Sequence, residues 1–253
     1  MEKPHDCLIG QVIHMEVNSS AVGAIIVAAG KGSRMGLGYN KVLTPLSGKP
    51  VIQWTLEAFI RSRLVDVIVL VISPEDEEAM ARVCRLISKG ESLLEKPILC
   101  VFGGADRQDS VYNGLKILPE EVGLILVHDG ARPFVDKALI ERSLQNAREW
   151  GAACAGMPVK DTIKVVDENR VITDTPDRSV LWSAQTPQAF QREVVMEAYR
   201  RAYEAGVRGT DDAGLAEAAG FKVTMFEGSY RNIKLTSQED LLLAEQLLRD
   251  IWG

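Results

Sequence analysis

The feature that most constrains this chain is an apolar run that leads directly into a glycine-rich, cationic loop. Residues 24–27 read Ala-Ile-Ile-Val, a continuous branched run that is typical of a buried strand in a parallel sheet. The loop that follows reads Ala28-Ala29-Gly30-Lys31-Gly32-Ser33-Arg34-Met35-Gly36, and Lys41 lies seven residues after Arg34. Because glycines leave backbone N–H groups accessible and cations bind phosphate oxygens, this combination favours a polyphosphate site at the end of a strand.

Two commoner glycine loops do not match this segment. A dinucleotide-binding fingerprint has the spacing G-x-G-x-x-G, but the position of its third glycine holds Met35. A Walker loop needs a glycine five residues before its Gly-Lys pair, and Leu43 occupies that position before Gly48-Lys49. The spacing therefore disfavours an oxidoreductase that binds NAD and an ATPase of the Walker type.

Apolar runs and helical patterns alternate along most of the chain. Strands are predicted at 66–72, 97–102, 123–127, 151–155 and 221–226, and helices at 51–60, from 74 onward, 109–118, 136–150, 193–205, 211–219 and 238–252. This alternation predicts an α/β fold with a single Rossmann-like, mostly parallel sheet, helices on both faces, and ligands at the carboxyl ends of the strands.

The alternation is interrupted by a segment that predicts a β-hairpin. Residues 162–166 and 171–173 are strand-like and are joined by a turn at Asp167-Glu168-Asn169. Since a hairpin that projects from an α/β domain needs a surface to cover it, we interpret residues 159–184 as a dimerisation arm, with an ordinary edge hairpin as the alternative. Residues 1–20 form an N-terminal extension without a pattern, and residues 21–253 form one domain.

Composition excludes several classes of partner. The formal net charge of −6 argues against a nucleic-acid-binding protein, which normally carries a basic surface. No apolar run reaches the roughly 18 residues of a membrane span, and the N-terminus does not resemble a signal peptide. The four cysteines are far apart and form no C-x-x-C pair, which favours reduced thiols over a disulfide framework or a metal cluster. We therefore expect a cytoplasmic protein without nucleic-acid or membrane partners.

Polar residues follow the predicted strands where ligands are expected. Asp129 and Arg132 follow the strand at 123–127, and a buried carboxylate needs a cation or a hydroxyl as partner. Asp129 is thus a candidate for Mg²⁺ or ribose and Arg132 for a phosphate, with an Asp–Arg structural pair as the alternative. Lys234 lies in a strand-like run, where an ammonium is costly unless it faces an anion. His128 is interpreted as a packed imidazole without a chemical role.

A second glycine-rich segment follows the strand at 97–102. Gly103 and Gly104 would let the backbone approach a flat ligand such as a base, and Ser110 offers a hydroxyl. The same residues also suit the N-terminus of a helix with a flexible lead, and the pattern alone does not separate these two interpretations.

Taken in order, the motifs resemble one family. They are A-A-G-x-G-x-R-M-G, H-D-G-A-R-P-F, K-D-T-I-K, T-P-Q-A-F, T-D-D-A and N-I-K-L-T. From about Gly23 to the C-terminus this set is similar to the 2-C-methyl-D-erythritol 4-phosphate cytidylyltransferases of the non-mevalonate isoprenoid pathway. The resemblance implies that residues 21–253 are a nucleotidyltransferase domain, which uses CTP and Mg²⁺, releases pyrophosphate and works as a homodimer through the arm.

The resemblance also implies roles for individual residues. Arg34 and Lys41 would hold the triphosphate, and Lys234 would be the third catalytic cation. The nucleotide would be bound by Ala28, Ala29, Gly30, Gly32, Gly104, Ser110 and Asp129. The second substrate would be bound by Arg132, Thr162, Arg178, Thr186 and Thr210. One position departs from the family, which often carries an acidic or polar residue where this chain has Ala105.

The implied chemistry needs no catalytic base. A phosphomonoester is largely dianionic at neutral pH because its second pKa is about 6, so it can attack the α-phosphorus of CTP directly. Arg34, Lys41, Lys234 and Mg²⁺ would offset the repulsion between the two anions and hold the attacking and leaving oxygens in line. Two alternatives remain open from the residues: a cytidylyltransferase for ribitol 5-phosphate or another polyol phosphate, and a catalytically inactive nucleotide-binding scaffold.

Overall fold

The computed structural model of the 253-residue chain describes residues 8–9, 21–30, 38–88 and 96–252. The predicted site residues Gly32 and Arg34 lie outside these ranges. So does most of the predicted extension at residues 1–20, of which only Leu8–Ile9 is described, as a short strand.

The described residues form twelve strands and seven α-helices in one chain order. The strands are β1 (Leu8–Ile9), β2 (Ala21–Val27), β3 (Pro45–Leu46), β4 (Lys49–Pro50), β5 (Val67–Ile72), β6 (Ile98–Phe102), β7 (Val122–Asp129), β8 (Ala152–Pro158), β9 (Val165–Val166), β10 (Ile172–Asp174), β11 (Trp182–Gln191) and β12 (Thr224–Glu227). The helices are α1 (Val51–Arg61), α2 (Glu77–Ser88), α3 (Arg107–Ile117), α4 (Lys137–Trp150), α5 (Arg192–Ala205), α6 (Asp212–Ala218) and α7 (Gln238–Trp252). In this set, no helix is both long and apolar enough to cross a membrane.

The centre of the fold is a sheet in the order β1-β6-β5-β2-β7-β11-β8-β12. All neighbouring pairs are parallel except those of β11, which runs antiparallel to both β7 and β8. Alternate residues of β2 pack on opposite faces, with Ile26 in one apolar cluster and Ile25 in the other. Helices α1, α2 and α4 cover the first face, and α3, α5 and α6 cover the second. The predicted mostly parallel α/β fold with helices on both faces is confirmed.

Strand β11 was not predicted from the sequence. Its central residues read Gln185-Thr186-Pro187-Gln188, and proline is normally excluded from the interior of a sheet because it lacks an N–H donor. The pairing of β11 with β8 shifts register between Ala184 and Gln188, which accommodates this segment. Thr186 and Gln188 are nevertheless buried, because their side chains are hydrogen-bonded inside the protein.

The predicted hairpin is confirmed, although its strands are shorter than expected. Strands β9 and β10 pair in antiparallel fashion, and every residue of both strands is exposed. A short 3-10 helix at Arg178–Val180 leads from the hairpin towards β11. The division of the chain into residues 1–20, 21–253 and an arm at 159–184 stays a prediction.

Two further expectations were wrong. Lys234 does not lie in a strand, because residues 231–236 form an irregular segment. This segment is held by a hydrogen bond from Leu235 N–H to the carbonyl of Ala131 at 2.9 Å. Among the described cysteines, Cys84 and Cys154 are free and buried, but Cys100 in β6 is disulfide-bonded, so the thiols are not uniformly reduced.

Candidate functional site

A cleft of about 300 Å³ opens at the carboxyl ends of β2, β6 and β7. The register of the sheet places Val27 at the end of β2 beside Asp129 at the end of β7, so the first glycine-rich loop and the H-D-G-A-R-P-F motif begin at the same level. Among the described residues, the cleft is lined by Val27, Ala28, Ala29, Gly30, Asn40, Lys41, Val42, Gly104, Ala105, Asp106, Arg107, Ser110, Asp129, Ala131 and Lys234. The fold thus brings together eight of the predicted site residues: Ala28, Ala29, Gly30, Lys41, Gly104, Ser110, Asp129 and Lys234.

Asp129 is the electrostatic centre of the cleft. Its carboxylate oxygens lie 2.7 Å from Lys234 Nζ, 3.4 Å from Arg107 Nε and 3.7 Å from Arg132 Nε. Burial alone would raise the pKa of Asp129, but the charges of Arg107, Lys234 and Arg132 outweigh burial and hold that pKa well below its usual range. Three cations therefore lie beside Asp129, and one of them, Arg107, also pairs with Asp212. Three positive and two negative charges leave an excess of one positive charge, which favours an anionic ligand.

Lys234 faces the cleft because its neighbour is buried on the other side. Leu235 is 2% exposed and packs with Leu46 of β3 and Leu248 of α7. This apolar contact and the hydrogen bond from Leu235 N–H to the carbonyl of Ala131 fix the backbone directly after Lys234. The ammonium of Lys234 is therefore held at the cleft surface with its side chain about one third exposed.

Arg132 lies in the wall behind the cleft rather than in its lining. It is 9% exposed, and its Nη1 donates to the carbonyl of Asn232 at 2.7 Å. In this position Arg132 pairs with Asp129, which is the structural Asp–Arg pair considered above as the alternative to a phosphate contact. Its hydrogen bond to Asn232 also holds the loop that carries Lys234. The predicted contact of Arg132 with substrate phosphate stays a prediction.

His128 and Thr186 support Asp129 from behind. His128 is fully buried beside the ring of Phe59, and burial lowers its pKa to about 4, so the imidazole is neutral at pH 7. Its Nε2 lies 3.2 Å from the carbonyl of Arg132 and therefore carries the proton, which leaves Nδ1 to accept from the Thr186 hydroxyl at 3.0 Å. The same hydroxyl oxygen accepts from Asp129 N–H at 3.1 Å. The interpretation of His128 as a packed imidazole is confirmed.

The other predicted ligands of the second substrate lie outside the cleft lining. Thr162, Arg178 and Thr210 are exposed, and Arg178 Nη1 donates to the carbonyl of Lys160 at 2.8 Å. Thr162 and Arg178 belong to the arm, whereas Thr210 precedes α6. These three residues are therefore not among the described residues that line the cleft, and their contacts with the second substrate stay predictions.

The segment from Gly103 to Ser110 joins the cleft to the start of α3. Asp106 caps α3 by accepting from Asp109 N–H at 2.8 Å, and Gly104 N–H donates to the Ser110 hydroxyl at 3.1 Å. A Cβ atom on Gly103 would lie 2.4 Å from the Cβ of Ala29, so glycine allows this segment to contact the first loop. The helix N-cap expected for this segment is present, and its residues also line the cleft.

Asn40 is a site residue that the sequence reasoning missed. Its side-chain nitrogen donates to the carbonyl of Ala28 at 2.5 Å and to Asp76 at 2.7 Å, while its oxygen accepts from Val42 N–H at 3.3 Å. Asn40 thus caps the 3-10 helix Lys41–Leu43 and ties it to the end of β2. An asparagine immediately before the cationic residue was the available signal, because asparagine is a favoured cap.

Arg107 is the second residue that was missed. It lines the cleft at the start of α3, and its guanidinium lies between Asp129 and Asp212, with Nη2 2.9 Å from Asp212 Oδ2. No local pattern could have found this contact, because Asp212 lies on a different helix far along the chain.

The described residues contain no group of three His, Cys, Asp or Glu side chains that could hold a metal ion. Magnesium, however, is commonly bound by one or two carboxylates together with substrate phosphates. Asp129 supplies one ionised carboxylate inside the cleft, but each of its oxygens already lies beside a cation. A magnesium ion therefore fits this site only when it arrives with a nucleotide whose phosphates supply most of its ligands.

Comparisons with known proteins agree on one family. Residues 22–250 match the family model of 2-C-methyl-D-erythritol 4-phosphate cytidylyltransferase. The proteins of that name from Caldanaerobacter subterraneus and Clostridioides difficile are each 46% identical to this chain, covering 90% and 88% of it and 99% and 92% of their own lengths. Two crystal structures are similar with 32% identity: the Anaerococcus prevotii 4-diphosphocytidyl-2C-methyl-D-erythritol synthase (TM-score 0.79, covering 92% of this chain and all of that one) and the Thermus thermophilus cytidylyltransferase (TM-score 0.72, covering 90% and 99%).

Proposed function

The chain belongs to the 2-C-methyl-D-erythritol 4-phosphate cytidylyltransferase family, and on that premise we propose that the cleft around Asp129 is its active site. Its reaction joins the cytidylyl group of CTP to 2-C-methyl-D-erythritol 4-phosphate and releases pyrophosphate. The observation that carries the assignment of the site is the cluster of Lys234, Arg107 and Arg132 around the carboxylate of Asp129 at the edge of the sheet, where the cations outnumber Asp129 and Asp212.

The nucleotide would lie across the ends of β2 and β6. Ala28 to Gly30 and Lys41 line the cleft after β2, which suits the triphosphate. Gly104 and Ser110 line it after β6, which suits the base. The α-phosphate would then lie near Lys234.

Lys234 would act on the transferring phosphoryl group by charge and position. The attacking phosphate is a dianion and needs no base to activate it, because its second pKa is about 6. Within the part of the chain that the structure describes, His128 is the one histidine, and it cannot take this role because it is neutral, fully buried and hydrogen-bonded at both nitrogens. A fixed ammonium at Lys234 would offset the repulsion between substrates and stabilise the charge that develops on the α-phosphate.

Magnesium is proposed as the cofactor. Asp129 and oxygens of the triphosphate would hold it, and when bound it would neutralise part of the negative charge of the nucleotide.

Substrate profiling tests this function. Pyrophosphate release is measured with CTP, ATP, GTP and UTP, each combined with 2-C-methyl-D-erythritol 4-phosphate or ribitol 5-phosphate. We expect turnover with CTP and the methylerythritol phosphate, and at most weak turnover with the other pairs. Equal or faster turnover with ribitol 5-phosphate would contradict the assignment of the second substrate, and the absence of pyrophosphate release with every pair would support an inactive scaffold.

We also propose that the arm forms a homodimer. The arm exposes many apolar side chains that nothing covers in the single chain. They are Ile163, Val165, Val166, Val171, Ile172, Val180 and Trp182. Thr162 and Arg178, the predicted substrate ligands on the arm, lie away from the cleft of their own chain. Exchange of the arms would cover the apolar side chains and would explain why those two residues are placed there. The cytoplasmic location expected from the sequence stays a prediction.

The dimer is tested with charged substitutions in the arm. The double variant Val171→Asp and Ile172→Asp should be monomeric by light scattering and should lose at least about tenfold in kcat/KM, because carboxylates cannot be buried unpaired in an apolar interface. The matched control is Leu242→Asp on α7, which places the same charge on another exposed apolar residue and should leave the assembly unchanged. A monomeric wild-type chain, or a dimeric arm variant, would refute this proposal.

A further inference from the structure

We propose that Asp212, which lies behind the cleft at the start of α6, is a positioning residue for the transfer reaction. In this proposal Asp212 holds the guanidinium of Arg107, and Arg107 in turn leaves Asp129 free to hold Lys234. The inference rests on the proposed function of the cleft, since it concerns how the proposed catalytic ammonium is kept in place.

The surroundings of Asp212 make its charge dependent on Arg107. Asp212 is fully buried, and its Oδ1 accepts from the Tyr199 hydroxyl at 2.5 Å. Its Oδ2 lies 2.9 Å from Arg107 Nη2 but has no aligned hydrogen-bond donor, so that this contact is an ion pair rather than a directional hydrogen bond. Burying a carboxylate without a cation is very costly, and among the described residues Arg107 is the cation that meets this need.

Arg107 connects this buried carboxylate with the cleft. Its Nη2 faces Asp212 while its Nε lies 3.4 Å from Asp129, and its side chain is 25% exposed at the cleft surface. Burial alone would lower the pKa of Arg107, but the two carboxylates outweigh burial and raise it. The guanidinium is thus fixed between one carboxylate that touches the cleft and one that does not.

The buried end of this chain of contacts is rigidly held. Tyr199 is fully buried on α5, and burial together with the charge of Asp212 raises its pKa, so its hydroxyl stays a donor. Gln188 of β11 accepts from the backbone N–H groups of Asp212 and Ala213 at 3.0 and 2.9 Å. Asp212 is therefore fixed by two separate elements of the fold, which suits a residue that orients another side chain.

The consequence for the reaction follows from charge balance. With Asp212 present, Arg107 shares its charge between two carboxylates, and Asp129 binds Lys234 at 2.7 Å. Without the charge of Asp212, Arg107 would pair with Asp129 alone and compete with Lys234 for its oxygens. A buried ion pair such as that of Arg107 with Asp212 is weak evidence for a stabilising role, because apolar replacements of such pairs are often neutral or stabilising. Arg107 lines the cleft, and this favours a role of the pair in positioning.

The test compares Asp212→Asn with a control variant on the neighbouring helix α5. Asp212→Asn keeps the shape and can still accept from Tyr199, but it removes the charge. We expect kcat to fall by roughly tenfold while the KM for each substrate changes by less than about threefold, because Asp212, Arg107, Asp129 and Lys234 belong to one network of ion pairs. The control is Tyr203→Phe, which removes another tyrosine-to-aspartate hydrogen bond between α5 and α3, from Tyr203 to Asp109 at 2.6 Å, and should leave kcat unchanged.

A double-variant cycle separates positioning from stability. The single variant Arg107→Gln leaves the Asp212 carboxylate without its cation, so the melting temperature of the protein should fall. In the double variant, Asp212→Asn also removes the buried charge, so the melting temperature should recover while kcat should not. In the Arg107→Gln background, Asp212→Asn should cause no further loss of kcat, because it acts through the missing guanidinium. If Asp212→Asn proves too unstable to purify, Tyr199→Phe, which frees one oxygen of the carboxylate, should lower kcat by about threefold.

Wild-type kcat in Asp212→Asn, or in Tyr199→Phe where that variant replaces it, would overturn the inference. So would recovery of kcat together with the melting temperature in the double variant, since this would show a structural role only. The proposed function fails in a different way: the wild-type chain itself would release no pyrophosphate from CTP and the methylerythritol phosphate in the same assay.

Discussion

Replacing Lys234 by alanine should lower kcat by about a thousandfold while the protein stays folded. Removal of one fixed donor or cation that stabilises a transition state commonly costs about two to three orders of magnitude, and phosphoryl transfer depends almost entirely on such groups. The fold should tolerate the change, because Asp129 keeps Arg107 and Arg132 as partners and Leu235 keeps the loop packed. Steady-state kinetics with CTP and the methylerythritol phosphate, together with the melting temperature, measure both effects.

The control for Lys234→Ala is Lys137→Ala. Lys137 is exposed on α4 and pairs with Glu141 at 3.4 Å, so the variant removes a lysine and an ion pair outside the described lining of the cleft. Surface pairs of this kind contribute little to stability, and kcat should be unchanged. A Lys234→Ala enzyme with more than about a tenth of the wild-type kcat would show that this ammonium does not carry the chemistry.

Replacing Lys41 by alanine should also remove most of kcat, by on the order of a hundredfold, with the fold intact. Lys41 lines the cleft on a 3-10 helix whose position depends on the Asn40 cap and on the burial of Val42, and neither of these involves the lysine side chain. The expected loss comes from weaker charge stabilisation of the triphosphate as pyrophosphate leaves. Single-turnover measurements at saturating CTP would separate this loss from weaker binding of the nucleotide.

The control for Lys41→Ala is Lys222→Ala, because Lys222 is exposed and lies outside the described cleft lining. The circular dichroism, melting temperature and kcat of Lys222→Ala should all match those of the wild type. Near-normal turnover in Lys41→Ala would refute the assigned role, and a large fall in its melting temperature would show that the lysine supports the fold instead.

The two lysines should differ in which substrate they affect. Lys41 and the segment from Ala28 to Gly30 are the proposed triphosphate contacts of the cleft, so the loss of Lys41 should raise the KM for CTP. Lys234 lies beside Asp129, so its loss should weaken the approach of the two phosphates and hence act mainly on kcat.

Much of the fold was predictable because its signals are local. Strand β2 is a short branched apolar run, and α4 begins directly after Asp136, whose side chain accepts from Leu139 N–H as an N-cap should. Strand β11 was not predictable in this way, since its polar residues are stable in the sheet only through hydrogen bonds to other segments, such as that from Gln188 to Asp211 at 2.8 Å.

The sequence by itself determined the α/β alternation, the glycine-rich loop and the identity of Asp129, Lys41 and Lys234 as candidate site residues, because each depends on residue types that lie close together along the chain. Only the tertiary structure decided which groups meet: Arg107 with Asp212, Asn40 with Ala28, and Arg132 with the carbonyl of Asn232. The physical reason is that the free energy of a buried charge depends on its partners in space, and those partners are set by how strands and helices from distant parts of the chain pack together.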